Sequence, residues 1–306
     1  MPHSHSHSHS HAHDRPQNYN RAFAIGTALN LGIVLLQVVY GVLANSLALL
    51  ADAGHNLTDV FSLLLAWGAS WLVRRPPTHR YTYGWRRSSI LAALLNALLL
   101  LLVMGAIAWE SLRRLTQPAP IAEMEVIAVA LLAIFINGGS ALLFLQGRDD
   151  LNLRSAFLHL LTDAFVSFGV VLSGVATLVT GWLWFDPVMS LIIVITIVIG
   201  TWQLLRDAIN LALDAVPGGI DPQFVRRYLL EQAGVTEIHD LHIWAISTTE
   251  TALTAHLVIP TGYPGDAFLS QLGQELHDQF EIDHSTIQIE IGDPNHPCVL
   301  APESRI

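Results

Sequence analysis

The chain contains no lysine and a single cysteine, Cys298, and only 13% of its 306 residues are charged. One cysteine excludes an intrachain disulfide framework. A soluble domain ordinarily carries roughly a quarter charged residues. The deficit argues against a soluble enzyme, a nucleic-acid binder and a disordered regulator. What charge there is falls unevenly. Residues 1–212 hold 12 Arg against 11 acids, and residues 213–306 hold 3 Arg against 14, so the net charge of −10 lies almost wholly in the last third. The first two thirds are nearly neutral and very apolar. Histidine, with 15 residues, is as common as arginine. Six of these lie in the N-terminal tail, and His55 and His159 sit inside apolar runs.

Six apolar segments, 22–44, 46–73, 88–115, 121–145, 152–181 and 186–210, stand out. Each is long enough to cross the hydrocarbon core, which takes about 20 residues at helical rise. The connections Ala44–Ser46 and Gly181–Phe185 are short, so those helices pair as hairpins, and Pro76, Pro77, Pro118, Pro120 and Pro187 punctuate other ends. Six long runs with so few charges leave no polar face to meet water, unlike the helices of a soluble core. The first run follows the His-rich tail without a small-residue cleavage pattern, so it reads as a span rather than a leader. Ten arginines, Arg74, Arg75, Arg80, Arg86 and Arg87 among them, fall on the side of the termini. Only Arg113 and Arg114 fall on the other. The positive-inside rule then places both termini, and the acidic third, in the cytoplasm.

The chemistry lies in a repeat. The second span reads His55-Asn-Leu-Thr-Asp59-Val-Phe61 and the fifth reads His159-Leu-Leu-Thr-Asp163-Ala-Phe165. His and Asp four apart share one helix face. Two such helices facing each other bring two imidazoles and two carboxylates to one point, a donor set suited to tetrahedral Zn²⁺. Two aspartates balance the charge of one divalent cation. Left empty, the same carboxylates are costly in a bilayer, about 2.5–3.5 kcal/mol each on insertion scales. Protons are the natural replacement, and competition between H⁺ and metal for one ligand set is the minimum physics of an antiporter. Asp52, one turn before His55, reads as a neighbour of this site or part of its access path. Hydrogen bonding between helices would explain one such pair but explains two copies of a seven-residue pattern poorly.

After Val216 the periodicity changes. Asp221-Pro222 opens a helix reaching Gln232, and Gly234 ends it. Residues 235–247, 251–260 and 285–291 read as strands, with a helix over 264–280 before the last. Such a small domain has a marginal core, so dimer contacts or bound metal are expected to stabilise it. Its negative charge would concentrate divalent cations in any case.

The stretch Leu49-Leu-Ala-Asp52-Ala-Gly-His55-Asn-Leu-Thr-Asp59 resembles the cation diffusion facilitator family, the efflux transporters for zinc and related metals. So do His159-Leu-Leu-Thr-Asp163, Arg74-Arg-Pro-Pro-Thr78, His239-Asp-Leu-His242-Ile-Trp244 and Thr286-Ile-Gln-Ile-Glu290. The motifs run in family order from about residue 20 to 293. The resemblance implies a homodimer of six-helix protomers, each with a cytoplasmic ferredoxin-like α+β domain. It implies a metal site between the second and fifth helices and proton-coupled export by alternating access. His55 at the first motif position resembles the zinc-preferring members. The resemblance also implies a second, cytoplasmic metal site drawn from His239, His242, His256 and either Asp283 or His284, and a pairing of Arg87 with Asp214. The loop between the second and third helices departs from members that carry another site there. Tyr81 and Trp85 stand at the histidine positions, and only His79 remains.

The expected organisation is a tail over 1–21, a transport domain over 22–212, a cytoplasmic domain over 213–293 and a C-terminal tail. The function expected is export of Zn²⁺, with Cd²⁺, Co²⁺ or Ni²⁺ as further cargo, in exchange for H⁺. Zn²⁺ is the cargo and a regulatory ligand, with no organic cofactor and no nucleic-acid partner. Arginine in place of lysine points to a bacterium with a GC-rich genome and so to its inner membrane. Two other readings compete. An intramembrane zinc hydrolase would need an open coordination position and a general base, and no His-Glu-x-x-His occurs. A metal-sensing membrane protein would need an effector domain.

Overall fold

The computed structural model describes residues 18–143 and 151–301, without the side chains of 18–27, 59, 63, 66, 143, 151–153, 155 and 156. The His-rich tail and the Gln146–Asp150 loop lie outside the described residues. The helices are α1 (Asn18–Leu43), α2 (Leu47–Val73), α3 (Ser88–Thr116), α4 (Glu123–Leu143), α5 (Leu151–Thr180) and α6 (Phe185–Ala212). Their bounds lie within a few residues of the apolar runs in the sequence. Five are long and apolar enough to cross a membrane, and the described side chains of α1 give a shorter apolar helix, Ala28–Leu43. Leu102, Trp109, Phe135 and Val179 are among the many large apolar side chains left exposed, as a lipid-facing surface requires.

Contacts divide the chain into two compact units, Met1–Leu57 with Trp109–Ile193 and Thr58–Ala108 with Val194–Ile306. In the first unit α4 packs along α5, and α1 packs on α4. The α4–α5 approach depends on Gly174, because a β-carbon there would lie 2.9 Å from Ile127 Cγ1. The α1–α2 hairpin turns at Asn45, which adopts φ 55°. Asparagine tolerates this left-handed conformation at a helix end. Arg114 holds the turn by donating to Asn45 O at 2.6 Å and to Asn45 Oδ1 at 2.7 Å.

The second unit joins membrane helix ends to the small domain. That domain comprises α7 (Pro222–Leu230), β1 (Glu237–Ala245), β2 (Thr251–Val258), α8 (Asp266–Phe280) and β3 (His284–Glu290). Asp221 caps α7 by accepting from the Gln223 amide at 2.8 Å, with proline at the first helical position. The sheet order is β1-β2-β3, with β1–β2 antiparallel and β2–β3 parallel. The core is built from Val225 and Leu229 of α7, Leu253, Ala255 and Leu257 of β2, and Leu272 and Leu276 of α8. Only the central strand β2 is buried almost throughout. This is the expected α+β domain following a membrane helical domain. Its β1–β2 turn meets the start of α3, where the Thr248 amide donates to Ser89 Oγ at 3.1 Å.

Candidate metal sites

His55 of α2 and the α5 motif meet inside the first unit. His55 and His159 rings lie with centroids 6.1 Å apart. Asp163, fully buried, has its carboxylate against both, with Oδ1 3.5 Å from His55 Nε2 and Oδ2 3.6 Å from His159 Nε2. Neither oxygen of Asp163 has a hydrogen-bond partner among the described residues. These separations exceed a hydrogen bond. Two atoms each bound to zinc at tetrahedral angles would stand about 3.3 Å apart. The spacing therefore suits a shared cation better than a direct contact. Asp59 follows His55 by one turn of α2, and its side chain lies outside the described residues.

Asp52 stands in contrast. It is also fully buried, but it accepts from Gln37 Nε2 and Ser167 Oγ at 2.7 Å each and from Asn56 Nδ2 at 3.4 Å. Three neutral donors, from α1, α5 and α2, saturate it. The sequence marked Asp52 as a neighbour of the site. Ser167 carried no signal there, because nothing along the chain shows which α5 hydroxyl faces α2.

In the second unit four side chains of the small domain converge. The ligand atoms of His239, His256, Glu290 and Cys298 all lie within 4.8 Å of one another. His239 on β1 and His256 on β2 are register partners, with ring centroids 5.2 Å apart. Glu290, at the end of β3, places Oε1 3.0 Å from His256 Nδ1 and Oε2 3.3 Å from His239 Nε2. Cys298 returns on the tail to put Sγ 3.6 Å from His256 Nδ1. His239 is 3% exposed and among the described residues neither ring nitrogen is hydrogen-bonded, a costly state for a buried polar group. Burial opposes the charge on Glu290, yet hydrogen bonds from Cys298 and Gln288, with His239 and His256 beside it, hold its carboxyl below the usual range. The Leu300 amide favours a Cys298 thiolate, but burial and the Glu290 charge outweigh it and push the thiol up. Soft sulfur, imidazole and carboxylate together suit zinc and its neighbours.

The other sequence candidates in this domain stand elsewhere. A bulge between His239 and His242, with Asp240 at φ 52°, sets His242 opposite Thr254, two residues along β2 from His256. His242 instead meets Asp240 Oδ1 at 3.1 Å. Asp283 accepts from the Thr251 amide at 2.9 Å and so ties the start of β3 to β2. His284 packs edge-on against Tyr83, with centroids 5.8 Å apart. The set drawn from the sequence, His239, His242, His256 and Asp283 or His284, did not include Glu290 or Cys298. Outside the domain, Arg87 Nη2 donates to Asp214 Oδ1 at 2.5 Å, and Tyr81 stacks against Trp85 at 4.5 Å in the loop that lacks a histidine pair.

Apolar helices enclosing buried acidic and imidazole side chains, followed by a small mixed-sheet domain, define a polytopic membrane protein that moves cations. The chain belongs to the cation efflux family. The cation efflux transmembrane domain matches residues 23–211, and the cation efflux protein cytoplasmic domain matches residues 217–291. It is a transporter, not an enzyme, which disposes of the hydrolase reading. The chain is 36% identical to the zinc transporter ZitB of Escherichia coli K12 over 287 residues, covering 92% of this chain and 90% of that one. It is 37% identical to the metal cation efflux system protein CzcD of Cupriavidus metallidurans over 290 residues, 94% and 90% of the two chains. It is 33% identical to the cadmium, cobalt and zinc/H(+)-K(+) antiporter of Bacillus subtilis over 271 residues, 87% of each. The solved metal-bound C-terminal domain of CzcD matches 23% of this chain and 99% of its own length, at 40% identity and a TM-score of 0.22.

Proposed function

We propose that the protein exports Zn²⁺ from the cytoplasm in exchange for H⁺, by alternating access around His55, His159 and Asp163, with Asp59 completing the donor set. The observation that carries this reading is the carboxylate of Asp163, buried between two imidazoles at 3.5 and 3.6 Å and without a hydrogen bond among the described residues. A buried carboxylate without a hydrogen bond is costly, and a proton or a divalent metal shared with the imidazoles can satisfy it. Zinc stands in the names of the E. coli and Bacillus relatives, and H⁺ with K⁺ in that of the latter. Cd²⁺, Co²⁺ and Ni²⁺ are further cargo for the same nitrogen and oxygen donors.

On this reading residues 22–212 form the transport domain and residues 213–293 a cytoplasmic domain that pairs in a homodimer. Both termini lie in the cytoplasm, and the membrane is the inner membrane of a bacterium. His239, His256, Glu290 and Cys298 hold a regulatory divalent cation. The test is Zn²⁺ flux into proteoliposomes under an imposed pH gradient. Asp163→Ala is expected to abolish flux while leaving helical content unchanged. Undiminished flux in that variant would remove the site assignment, and wild-type flux indifferent to the pH gradient would remove proton exchange.

A further inference from the structure

Asp52 is fully buried one turn from the transport site, yet it stands outside the donor set. His55 meets Asp163, and Asp52, one turn earlier on α2, meets Ser167, one turn later on α5. The two helices therefore run antiparallel and touch in two successive layers. The metal ligands form one layer, and the bond from Ser167 Oγ to Asp52 Oδ2 at 2.7 Å forms the next. With both termini in the cytoplasm α2 starts at the outer surface, so the Asp52 layer lies on the outer side of the metal layer. Beyond it the helix ends are tied again, by Ser46 to Asp186 and by the Ala122 amide to Ala44 O at 3.0 Å. The direct way out along α2 and α5 is thus closed by the Asp52–Ser167 bond.

The bonds to Asp52 divide unevenly between the helices. Inside the α1–α2 hairpin, Gln37 Nε2 donates to Oδ2 at 2.7 Å, and Asn56 Nδ2 lies 3.4 Å from Oδ1 and 3.3 Å from Gln37 Oε1. Ser167 is the contribution of α5. When α5 parts from the hairpin, Asp52 keeps Gln37 and Asn56 and loses Ser167. Its carboxylate stays in place and gains an open direction. Asn56, also fully buried, adds a second oxygen, because its Oδ1 has no hydrogen-bond partner among the described residues. We propose that Asp52 and Ser167 form the outer gate of the transport site. Their bond seals α2 against α5 while metal is held, and its parting frees Asp52 and Asn56 Oδ1 to take the outgoing Zn²⁺. This gate rests on the export reading above.

A static clamp between helices needs no charge. Ser111 and Ser190 join α3 to α6 at 2.9 Å with two hydroxyls. A carboxylate in the same role adds the cost of a buried charge, and charged side chains inside membrane helices mark ion pathways. The donors freed on opening are all oxygen, without the imidazoles of the site below. Zinc binds such a set less firmly than one that includes nitrogen. That ranking suits release, since a permeating ion must meet ligands strong enough to draw it and weak enough to let it go.

The test is Zn²⁺ transport by the full chain in proteoliposomes, with Zn²⁺ binding measured on the same protein in detergent. Asp52→Asn removes the charge that draws the metal outward. Its turnover at saturating Zn²⁺ is expected to fall about tenfold, with Zn²⁺ affinity in detergent unchanged. Ser167→Ala removes the seal and keeps the carboxylate. Its KM for Zn²⁺ at the cytoplasmic face is expected to rise about tenfold, the scale of one hydrogen bond to a charged group, with turnover not lowered. In vesicles of Ser167→Cys with the cytoplasmic face inside, an impermeant maleimide added outside is expected to label the chain during Zn²⁺ turnover and not at rest, while the native Cys298 stays out of reach. Thermal melting establishes that each variant is folded, and the two Ser167 variants decide the matter if Asp52→Asn is not. Turnover and melting temperature falling together in both Asp52→Asn and Ser167→Ala, with KM unchanged, would overturn the gate in favour of a clamp. So would the absence of labelling during turnover. Flux absent from the wild type would remove the export reading and the gate with it, whereas wild-type flux with undiminished turnover in a folded Asp52→Asn would remove the gate alone.

Discussion

Asp186, in the first turn of α6, accepts a hydrogen bond from Ser46 Oγ at 2.5 Å and from the Leu47 amide at 2.7 Å, across 140 and 139 residues of chain. The Ala48 amide lies 3.4 Å from the same carboxylate. Asp186 thus caps α2 from another helix, and its negative charge lies where the α2 dipole is positive. Because α2 carries His55, this cap sets the depth of the ligand helix. Asp186→Ala strands buried donors, which costs about 1–3 kcal/mol. The expected outcome is a lower melting temperature in detergent, with Zn²⁺ flux reduced in parallel. Asp186→Glu, which keeps an acceptor, should recover part of both.

Asp52 and Asp163 are both fully buried, yet their isosteric replacements should act in opposite directions. Asp52 is saturated by donors, so Asp52→Asn sets an NH₂ group against Gln37 and Ser167 and should lower the melting temperature. Asp163 has no hydrogen-bond partner among the described residues, so Asp163→Asn removes a buried charge that no hydrogen bond from them satisfies. That variant should melt no lower than wild type without metal, a stability gained at the expense of activity. Added Zn²⁺ should raise the melting temperature of wild type and of Asp52→Asn, as ligand binding to the folded state requires, but not that of Asp163→Asn. A lower melting temperature for metal-free Asp163→Asn would refute the asymmetry.

The membrane helices were legible in the sequence because each needs a long apolar run, and the His-x-Leu-Thr-Asp-x-Phe repeat put His55, His159 and Asp163 on facing helices. Local pattern was enough there. The cytoplasmic cluster was half legible. His239 and His256 pair directly across an antiparallel ladder, but Glu290 joins them through a parallel strand that returns only after α8, and Cys298 through a further reversal of the tail. Neither connection has a period that the sequence displays. His242 reads as a ligand by resemblance, but three residues of β1 with a bulge among them set it opposite Thr254, two ladder positions from His256.

Cys298 and Glu290 make the cytoplasmic cluster testable apart from transport. In a full chain carrying Asp163→Ala, which silences the membrane site, Zn²⁺ binding can be followed by competition with a chelator. Cys298→Ser and Glu290→Gln are each expected to weaken the remaining site by at least about tenfold, the scale at which even outer partners of a metal act. Affinity unchanged in both variants would leave the cluster as ordinary packing.

Tyr228 of α7 donates to Glu275 of α8 and fastens the two helices. Burial first, then this bond and the Glu275 charge, push the Tyr228 phenol up to about 12 from 10.0. The bond from Tyr228 holds the Glu275 carboxyl below its ordinary value. A raised phenol pKa contributes stability that is complete below 10.0 and is lost as pH climbs toward 12. A depressed carboxyl pKa contributes stability present above 4.5 and lost as pH falls below it. The deficit of Tyr228→Phe relative to wild type should therefore be constant from pH 6 to 9 and shrink at both extremes. Thermal melts across that range check it, and a deficit that changes between pH 6 and 9 would assign the effect to another group.

Arg86 and Glu250 join the start of α3 to the β1–β2 turn, and the pair is open to a charge-reversal test. Both side chains are partly exposed, at 42% and 29%, so the pair contributes at most about 1 kcal/mol to stability. The second oxygen of Glu250 is nevertheless buried without a hydrogen-bond partner among the described residues, and the neighbouring Thr248 amide bonds to Ser89. These features suit a contact that transmits movement of the small domain to α3 better than one that merely stabilises it. Arg86→Glu and Glu250→Arg should each slow Zn²⁺ flux at saturating metal while shifting the melting temperature little. Combining them restores opposite charges in exchanged positions and should recover most of the flux. Slowing in the single variants without recovery in the double would mean that each side chain acts separately, and the contact would then carry no coupling.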